Sequence, residues 1–522
     1  MIAPMPRLLF IIALLGAPIG AQEPPRETVN AWLEARQGPP GPGRLAATEA
    51  LTSFAHASNL PRILTALEGN GRAVVATEVE LEKLENARPR LARAHAAADK
   101  SGNRAKAAQA TLELERIDAD MMFRRRQLRD VFIECRALRV GYTKSLNAFA
   151  PEERRAPMQS LLRRAGDRSA PSPIRRQLMK LLAVIPNEAS RAVLEAILTD
   201  DRLPHVRTAA ADALGDHGAI ESESALTAGL GDKYAVVRAA CIASLRVVGG
   251  KRAVEALIGR ISVEKGRLLQ DCILVLRHLT GVTFHDNAVL WQQWWERESK
   301  HYKRPGKGGK RVDRRLRKRE QLADGNGPGF YGLRFTSHAL VYLIDVSGSM
   351  NERVRGAGTT GAGSPDETKL TRAKRELVRA LKALPSGIMV NVIAYSDGLS
   401  PYSDEMVKLD AKNRRGLVAW AGALRAEGKT NIYDALASVL DHAKGQRGRA
   451  SPEMTVDTMV LLTDGLPTAG RVQDSELIAS EVERLNDRTR IVLHTIGLGP
   501  DHDAVLLKRL SAESHGVYIR AR

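Results

Sequence analysis

The 522-residue sequence predicts a multidomain chain with an N-terminal helical hairpin, an all-α solenoid and a C-terminal α/β domain. Three observations predict it. Apolar residues recur at heptad-like spacing over residues 72–148. A helix pair repeats with a period near 31 residues between 170 and 280. From Ala339 onward, short apolar runs alternate with amphipathic segments. Length alone points to about two to four domains, because a single core stops growing well below this size.

The chain opens with an export-signal pattern over residues 1–21. Arg7 precedes the apolar run Leu8 to Leu15, and small residues follow up to Ala21, where cleavage is expected. The run is too short to span a bilayer comfortably, and no other stretch is apolar enough to cross one. Residues 22–71 form a mixed, partly flexible segment. Gln37-Gly38-Pro39-Pro40-Gly41-Pro42-Gly43 breaks any helix, and short helices are expected over 44–58 and 60–67.

Residues 72–148 read as a coiled-coil-like hairpin. One arm carries Leu81, Leu84, Leu91 and Ala98; the other carries Leu114, Ile117, Met121, Leu128, Val131, Cys135 and Leu138, with a turn near Gly102. Spacings of three and four place each set on one stripe, as helix-on-helix burial requires. Pro89 is expected to kink the first arm, and the plain reading of the hairpin is a structural spacer.

The solenoid is expected over residues 149–298. Ile174-Arg175, Val206-Arg207 and Val237-Arg238 open successive helices that reach Leu182, Leu214, Leu245 and Leu276, with Ala192–Leu198, Ala225–Leu230 and Ala253–Ile258 between them. A unit of this size cannot bury its apolar face alone, so neighbours stack. Trp291, Trp294 and Trp295 are placed to cover the last apolar face.

A basic linker, residues 299–334, follows. Lys300 to Arg319 holds eleven basic residues and one acid, which supplies about half of the net charge of +19 set by 79 basic and 60 acidic residues. Such a run suits a solvated linker or a polyanion contact. With no aromatic residue after Tyr302 to stack on bases, specific nucleic-acid recognition is not expected. Three cysteines make no disulfide framework. Cys135, Cys241 and Cys272 all fall at apolar positions and read as buried small residues.

The α/β domain spans residues 335–522. Apolar runs at 339–344, 388–395, 457–462 and 490–496 read as buried strands, with Met406–Leu409 as an antiparallel edge and Gly516–Ile519 as a last strand. Helical patterns between them imply a largely parallel sheet covered on both faces. Ligands in such sheets sit at the carboxyl ends of the strands. Asp345, Ser347 and Ser349 alternate there in one loop, Thr430 precedes a helix, and Asp464 follows another strand. Two carboxylates and three hydroxyls suit a hard cation, Mg²⁺ with Mn²⁺ or Ca²⁺ as alternatives, and lack the His or Cys that zinc favours. A decoy overlaps the set: Ala423 to Thr430 resembles a phosphate-binding loop with Ala for its first Gly, but a helical pattern precedes it where a strand is needed. Asp345 and Asp464 could also form an acid/base pair, but a cation site accounts for the hydroxyls as well, so hydrolase chemistry is unnecessary.

These residues carry a family resemblance. Asp345-x-Ser347-x-Ser349, Thr430 and Thr463-Asp464-Gly465 resemble the metal-ion-dependent adhesion site (MIDAS) of von Willebrand factor type A (VWA) domains, which have a Rossmann-like α/β fold. The resemblance implies Ser347, Ser349 and Thr430 as direct ligands, Asp345 and Asp464 acting through water, and a protein partner whose acidic residue completes the metal shell. The pattern from Pro204 to Gly215 resembles HEAT-like repeats, which implies a second protein-binding surface. The whole layout is similar to exported bacterial VWA proteins of planctomycete type. Two departures stand out: a long Gly-rich loop from Asn351 to Glu367 beside the metal loop, and no pattern for a helix after the last strand, which puts the helix-sliding switch of adhesion receptors in doubt.

The expected function is therefore an exported, non-enzymatic interaction scaffold in the periplasm, cell envelope or extracellular space. The alternative is a polyanion- or envelope-binding protein acting through residues 300–319, with an anionic envelope surface as partner. A metal-assisted hydrolase is a distant third.

Overall fold

The computed structural model describes residues 23–150, 152–303, 329–333, 337–354, 367–443 and 453–521. The export-signal pattern, nearly all of the basic run and the middle of the Gly-rich loop lie outside the described residues. The chain divides into two compact units. One holds the residues up to Ala76 with Asp130–Leu181; the other holds Thr77–Arg129 with the chain from Leu182 onward.

The first unit contains α1 (Arg26–Ala35), α2 (Pro42–Ser53), the outer ends of the long helices α3 (Asn59–Lys100) and α4 (Arg104–Asn147), α5 (Arg155–Gly166) and most of α6 (Ser172–Ala183). The sequence pattern puts a break between residues 67 and 72, yet α3 runs through it. Gly71 lies where a Cβ would come within 2.2 Å of Ile174 Cγ1. The glycine therefore serves close helix packing, and tertiary contact outweighs its poor helix propensity. At the centre of this unit Glu134, 2% exposed, accepts hydrogen bonds from Arg36 (2.7 Å), Thr48 (3.0 Å) and Asn70 (3.0 Å), and pairs with Arg44 at 2.9 Å. A buried carboxylate survives only when its lone pairs are met in this way.

The second unit holds the hairpin tip, the solenoid helices and the α/β domain. Solenoid helices α7 (Glu188–Asp200), α8 (Pro204–His217), α9 (Glu223–Gly229), α10 (Ala235–Val248), α11 (Lys251–Ile261) and α12 (Gly266–Thr280) stack in pairs. The repeated arginines link successive pairs. Arg207 binds both Asp232 carboxylate oxygens (2.7 and 2.9 Å) and the Asp201 carbonyl (2.7 Å); Arg238 binds Glu264 and the Asp232 carbonyl in the same way. Trp291 and Trp295 on α13 (Ala288–Glu298) are buried beside Phe284 and Tyr302, with α13 lying against α11. In the hairpin tip, α3 continues as helix through Pro89.

The α/β domain is a seven-stranded sheet: β1 (Ala339–Asp345), β2 (Met389–Tyr395), β3 (Leu399–Pro401), β4 (Val407–Lys408), β5 (Thr458–Thr463), β6 (Val492–Leu498) and β7 (Tyr518–Ala521), in the order β3-β2-β1-β5-β6-β7, with β4 also on β2. All pairs are parallel except those of β3 and β4 with β2. The β3 hairpin has no counterpart in the sequence pattern, because its residues are exposed and include Pro401. Every residue of β1 and β5 is buried, since both faces are covered. Val341, Leu343 and Leu461 pack with α16 (Ile432–Ala443), α17 (Ser475–Thr489) and α18 (Ala504–Glu513); Leu340, Tyr342, Ile344 and Leu462 pack with α14 (Lys369–Ala383) and α15 (Ala411–Ala423). Side-chain caps from Thr368, Asp410, Asp474 and Asp503 start four of these helices. After β1 the chain builds to one side, and with β5 it crosses to the other. The ends of β1 and β5 therefore flank the switch in strand order where such sheets form their crevice.

Candidate metal centre

Asp345 ends β1 with its side chain fully buried. Oδ1 accepts the Ser347 amide (2.8 Å) and Oδ2 accepts the Thr463 hydroxyl (2.6 Å). Burial pushes this carboxyl up to about 6, against the pull of the Ser347 and Thr463 hydrogen bonds and with the nearby Asp464 adding to the rise. The next residues turn back at once in a short 3-10 segment, Gly348–Asn351. That turn is zipped to the loop after α15: the Gly348 amide donates to the Gly428 carbonyl (2.9 Å), and the Glu427 amide to the Val346 carbonyl (2.8 Å).

The zipper brings the hydroxyls together. Ser347 Oγ and Ser349 Oγ are 3.1 Å apart, and Ser349 Oγ donates to Asp464 Oδ1 at 2.8 Å. A Cβ on Gly465 would lie 3.6 Å from Thr430 Oγ1 and 3.9 Å from Ser349 Oγ, so Thr430 closes the same pocket. Gly428, at φ +79°, turns the chain into Thr430 while Asp397 fills the space a side chain would need. Thr430 is held by paired bonds to 468–469: its amide donates to Thr468 Oγ1 (3.0 Å) and its carbonyl accepts the Thr468 amide (2.9 Å). All five sequence-predicted residues thus gather at the ends of β1 and β5, and Asp345, Ser347, Thr430 and Asp464 are each less than 5% exposed.

The donor set consists of hard oxygens. Among the described residues no group of three or more His, Cys, Asp and Glu is placed to hold a metal, so any cation here must use hydroxyls beside the two carboxylates. Both oxygens of Asp345 accept hydrogen bonds from protein donors, as do both of Asp464, so the two carboxylates are held in place beside the hydroxyls. That chemistry fits Mg²⁺ or a similar cation. Ser347, Ser349 and Thr430 would hold it, with Asp345 and Asp464 orienting them.

The decoy phosphate loop fails on geometry. Helix α15 precedes it, and the amides of Glu427, Lys429 and Thr430 already bond to Val346, Asp397 and Thr468, so they are not free to cradle phosphate. The cysteines are buried thiols without disulfides, and burial pushes Cys135 up to about 11, which opposes thiolate chemistry.

Two further residues contribute. Thr463, part of the Thr463-Asp464-Gly465 pattern, donates its hydroxyl to Asp345, and Lys369 lies outside the motif. Lys369, 6% exposed, donates to Asp464 Oδ2 (2.8 Å) and Glu352 Oε2 (2.7 Å). Burial opposes its charge, but the bonds to Asp464 and Glu352 outweigh that and raise its pKa. The available signal was positional: a lysine in the first turn of a helix opposes the helix dipole and needs a nearby anion.

A family model described as von Willebrand factor type A domain matches residues 362–519, and one described as HEAT repeats matches residues 158–271. The chain carries a VWA domain behind HEAT repeats. The VWA match includes Thr430 and Asp464 and begins beyond Ser349. Inter-alpha-trypsin inhibitor heavy chain H6 of Homo sapiens is 28% identical over 182 residues, covering 34% of this chain and 13% of that protein. The chain spans no more than about a fifth of the length of the curated relatives it matches. Among solved structures, a von Willebrand factor type A protein from Catenulispora acidiphila aligns with a TM-score of 0.28 at 22% identity, over 36% of this chain and 40% of that one. Proximal thread matrix protein 1 from the mussel byssus, with a zinc-occupied MIDAS motif, aligns with a TM-score of 0.24 at 16% identity, over 35% and 41%. VWA domains are protein-interaction folds, commonly bind a divalent metal through a MIDAS, and are generally non-catalytic. Among the described residues no helix is long and apolar enough to cross a membrane.

Proposed function

We propose that Asp345, Ser347, Ser349, Thr430 and Asp464 bind Mg²⁺, or Mn²⁺ or Ca²⁺ in its place, and that a carboxylate from a protein partner completes the shell. The chain then works as an exported, non-enzymatic scaffold whose HEAT repeats offer a second contact surface. The observation that carries the reading is the hydrogen-bonded run Ser347–Ser349–Asp464, with Thr430 beside it, at the switch in strand order. Neutral hydroxyls in direct contact leave a dication with most of its charge, so it draws a carboxylate strongly. The bonds that occupy Asp345 also favour an orienting role over an acid/base one.

The rival reading, polyanion or envelope binding, rests on the charge of residues 300–319. A pull-down from the native envelope, with and without EDTA, separates the two when repeated for Asp345→Ala and for a charge-neutralised 300–319 segment. Partner loss with EDTA and with Asp345→Ala supports the metal reading. Indifference to both, with loss on neutralising the basic run, sinks it. Ester or phosphate turnover that vanishes in Asp464→Ala would favour a hydrolase.

A further inference from the structure

We infer that Lys369 is a built-in counter-charge of the metal centre, which weakens the site's hold on the cation and makes that hold depend on a partner's carboxylate. The inference rests on the metal reading above and goes further, because it assigns a regulating role to a residue outside the five-residue motif.

The ammonium is not a casual surface contact. Its side chain is 7% exposed and bonds to Asp464, whose own side chain is fully buried, and to Glu352 at the rim. The backbone fixes where it can reach. Thr368 caps α14, the Lys369 amide donates to the Glu352 carbonyl (2.9 Å), and the Val354 amide donates to the Glu367 carbonyl (3.0 Å), closing the neck of the Gly-rich loop. Gly499, at φ +67°, lies alongside, and a Cβ there would be in ordinary contact with Lys369 Cε at 3.5 Å. The stem is therefore confined between two strand-end loops, with its charge directed at the metal centre.

The electrostatic consequence follows from counting charges. Asp345 and Asp464 would present two negative charges to a dication, with Glu352 a third, more exposed one at the rim. Lys369 lies between Asp464 and Glu352, so it offsets one of these charges and occupies the Asp464 oxygen that Ser349 does not. With that charge offset, a dication in the centre draws an incoming carboxylate more strongly. Lys369 thus trades affinity for metal alone against affinity for metal plus acidic ligand, and by linkage the two ligands favour each other's binding to the same degree. Removing a unit charge within hydrogen-bonding reach of a site carboxylate changes a dication's affinity by roughly tenfold or more at a protein-like dielectric.

The test uses the full chain, MgCl₂ as the probe, and calorimetric titration beside thermal unfolding. Lys369→Met should bind Mg²⁺ at least about tenfold more tightly than the unmodified protein, and acetate should raise its Mg²⁺ affinity less. Lys369→Arg keeps the charge and should stay near the original affinity. Lys369→Gln repeats the test should the Met variant not fold, as judged by circular dichroism. Unchanged or weaker Mg²⁺ binding in folded Lys369→Met or Lys369→Gln overturns the inference. So does a lower melting temperature with no change in affinity, which would mark a purely structural lysine. If the unmodified protein binds Mg²⁺ and Asp345→Ala does not, the metal reading stands whatever the lysine variants do. If neither the unmodified protein nor the lysine variants bind, both fail.

Discussion

Replacing Asp345 by asparagine removes a charge from the most enclosed point of the α/β domain while keeping shape and hydrogen-bonding capacity. The new side chain could still accept the Ser347 amide through its carbonyl, and its own amide could donate to Thr463 after that hydroxyl rotates; both partners sit within 2.8 Å of Asp345. What changes is the cost of ionisation. The carboxyl lies at about 6 instead of its ordinary 3.8. That rise of about two units corresponds to ~3 kcal/mol against the charged form at neutral pH. The sign follows from linkage. A carboxyl whose folded value is raised contributes stability that is full below its unfolded value and is lost as pH rises through about 6. Asp345→Asn should therefore leave the metal-free domain as stable as before at pH 7, or more stable by up to ~3 kcal/mol, and should flatten the decline in stability between about pH 4 and 6. The same variant should lose the stabilisation that MgCl₂ confers on the unmodified protein. Hydrogen exchange of the β1 and β5 amides reads both effects locally, which matters because a chain with two compact units need not unfold in one step. Metal-free destabilisation beyond ~1 kcal/mol would refute the desolvation argument, because such a loss is the size of a hydrogen bond left unmade. A retained Mg²⁺ response would refute the site.

Further outcomes follow from other buried groups. Arg125 is fully buried, bonds Glu481 (3.2 Å) and Glu85 (2.6 Å), and lies over the Tyr433 ring. Arg125→Ala should cost ~3 kcal/mol in urea unfolding, with the loss limited because Arg484 still pairs with Glu481; a change under ~0.5 kcal/mol would mean that its desolvation cancels its contacts. His494 accepts the Val517 amide, and burial holds it down at about 4. Its contribution should be complete above about pH 6.5 and fade by roughly 3 kcal/mol as pH falls toward 4, a drop that His494→Gln should reduce in pH-dependent melting. Cys135, Cys241 and Cys272 should resist a thiol reagent in the native protein and all react in urea; rapid labelling of any one before unfolding would contradict its burial.

The fold class, and the five residues that the structure brings together at the ends of β1 and β5, were legible because each rests on local pattern. Largely apolar runs mark β1, β2, β5 and β6, since strands covered on both faces need no polar alternation. The 31-residue period marks stacked helix pairs, and polar oxygens placed just after buried strands mark a crevice. Three features did not show in the local pattern. Gly71 falls between the expected helix ending at 67 and the hairpin starting at 72, yet it sits inside α3, where Ile174 packs directly against it. The β3 hairpin has no apolar signature because it lies at an exposed edge. Lys369 lies outside the five-residue pattern, and only the closed neck of the preceding loop brings its ammonium to Asp464, 95 positions further along.

Residue order was enough to establish a helical hairpin, a solenoid and a parallel α/β domain, and to single out two carboxylates and three hydroxyls as one chemical set, because periodicity and strand-end position are local properties. Folding added the electrostatics of that set. Burial raises Asp345, hydrogen bonds occupy both oxygens of each carboxylate, and a lysine outside the motif offsets one of the negative charges. Those features depend on distances across the folded domain, where the field of a charge is set by its three-dimensional neighbours and the water they exclude.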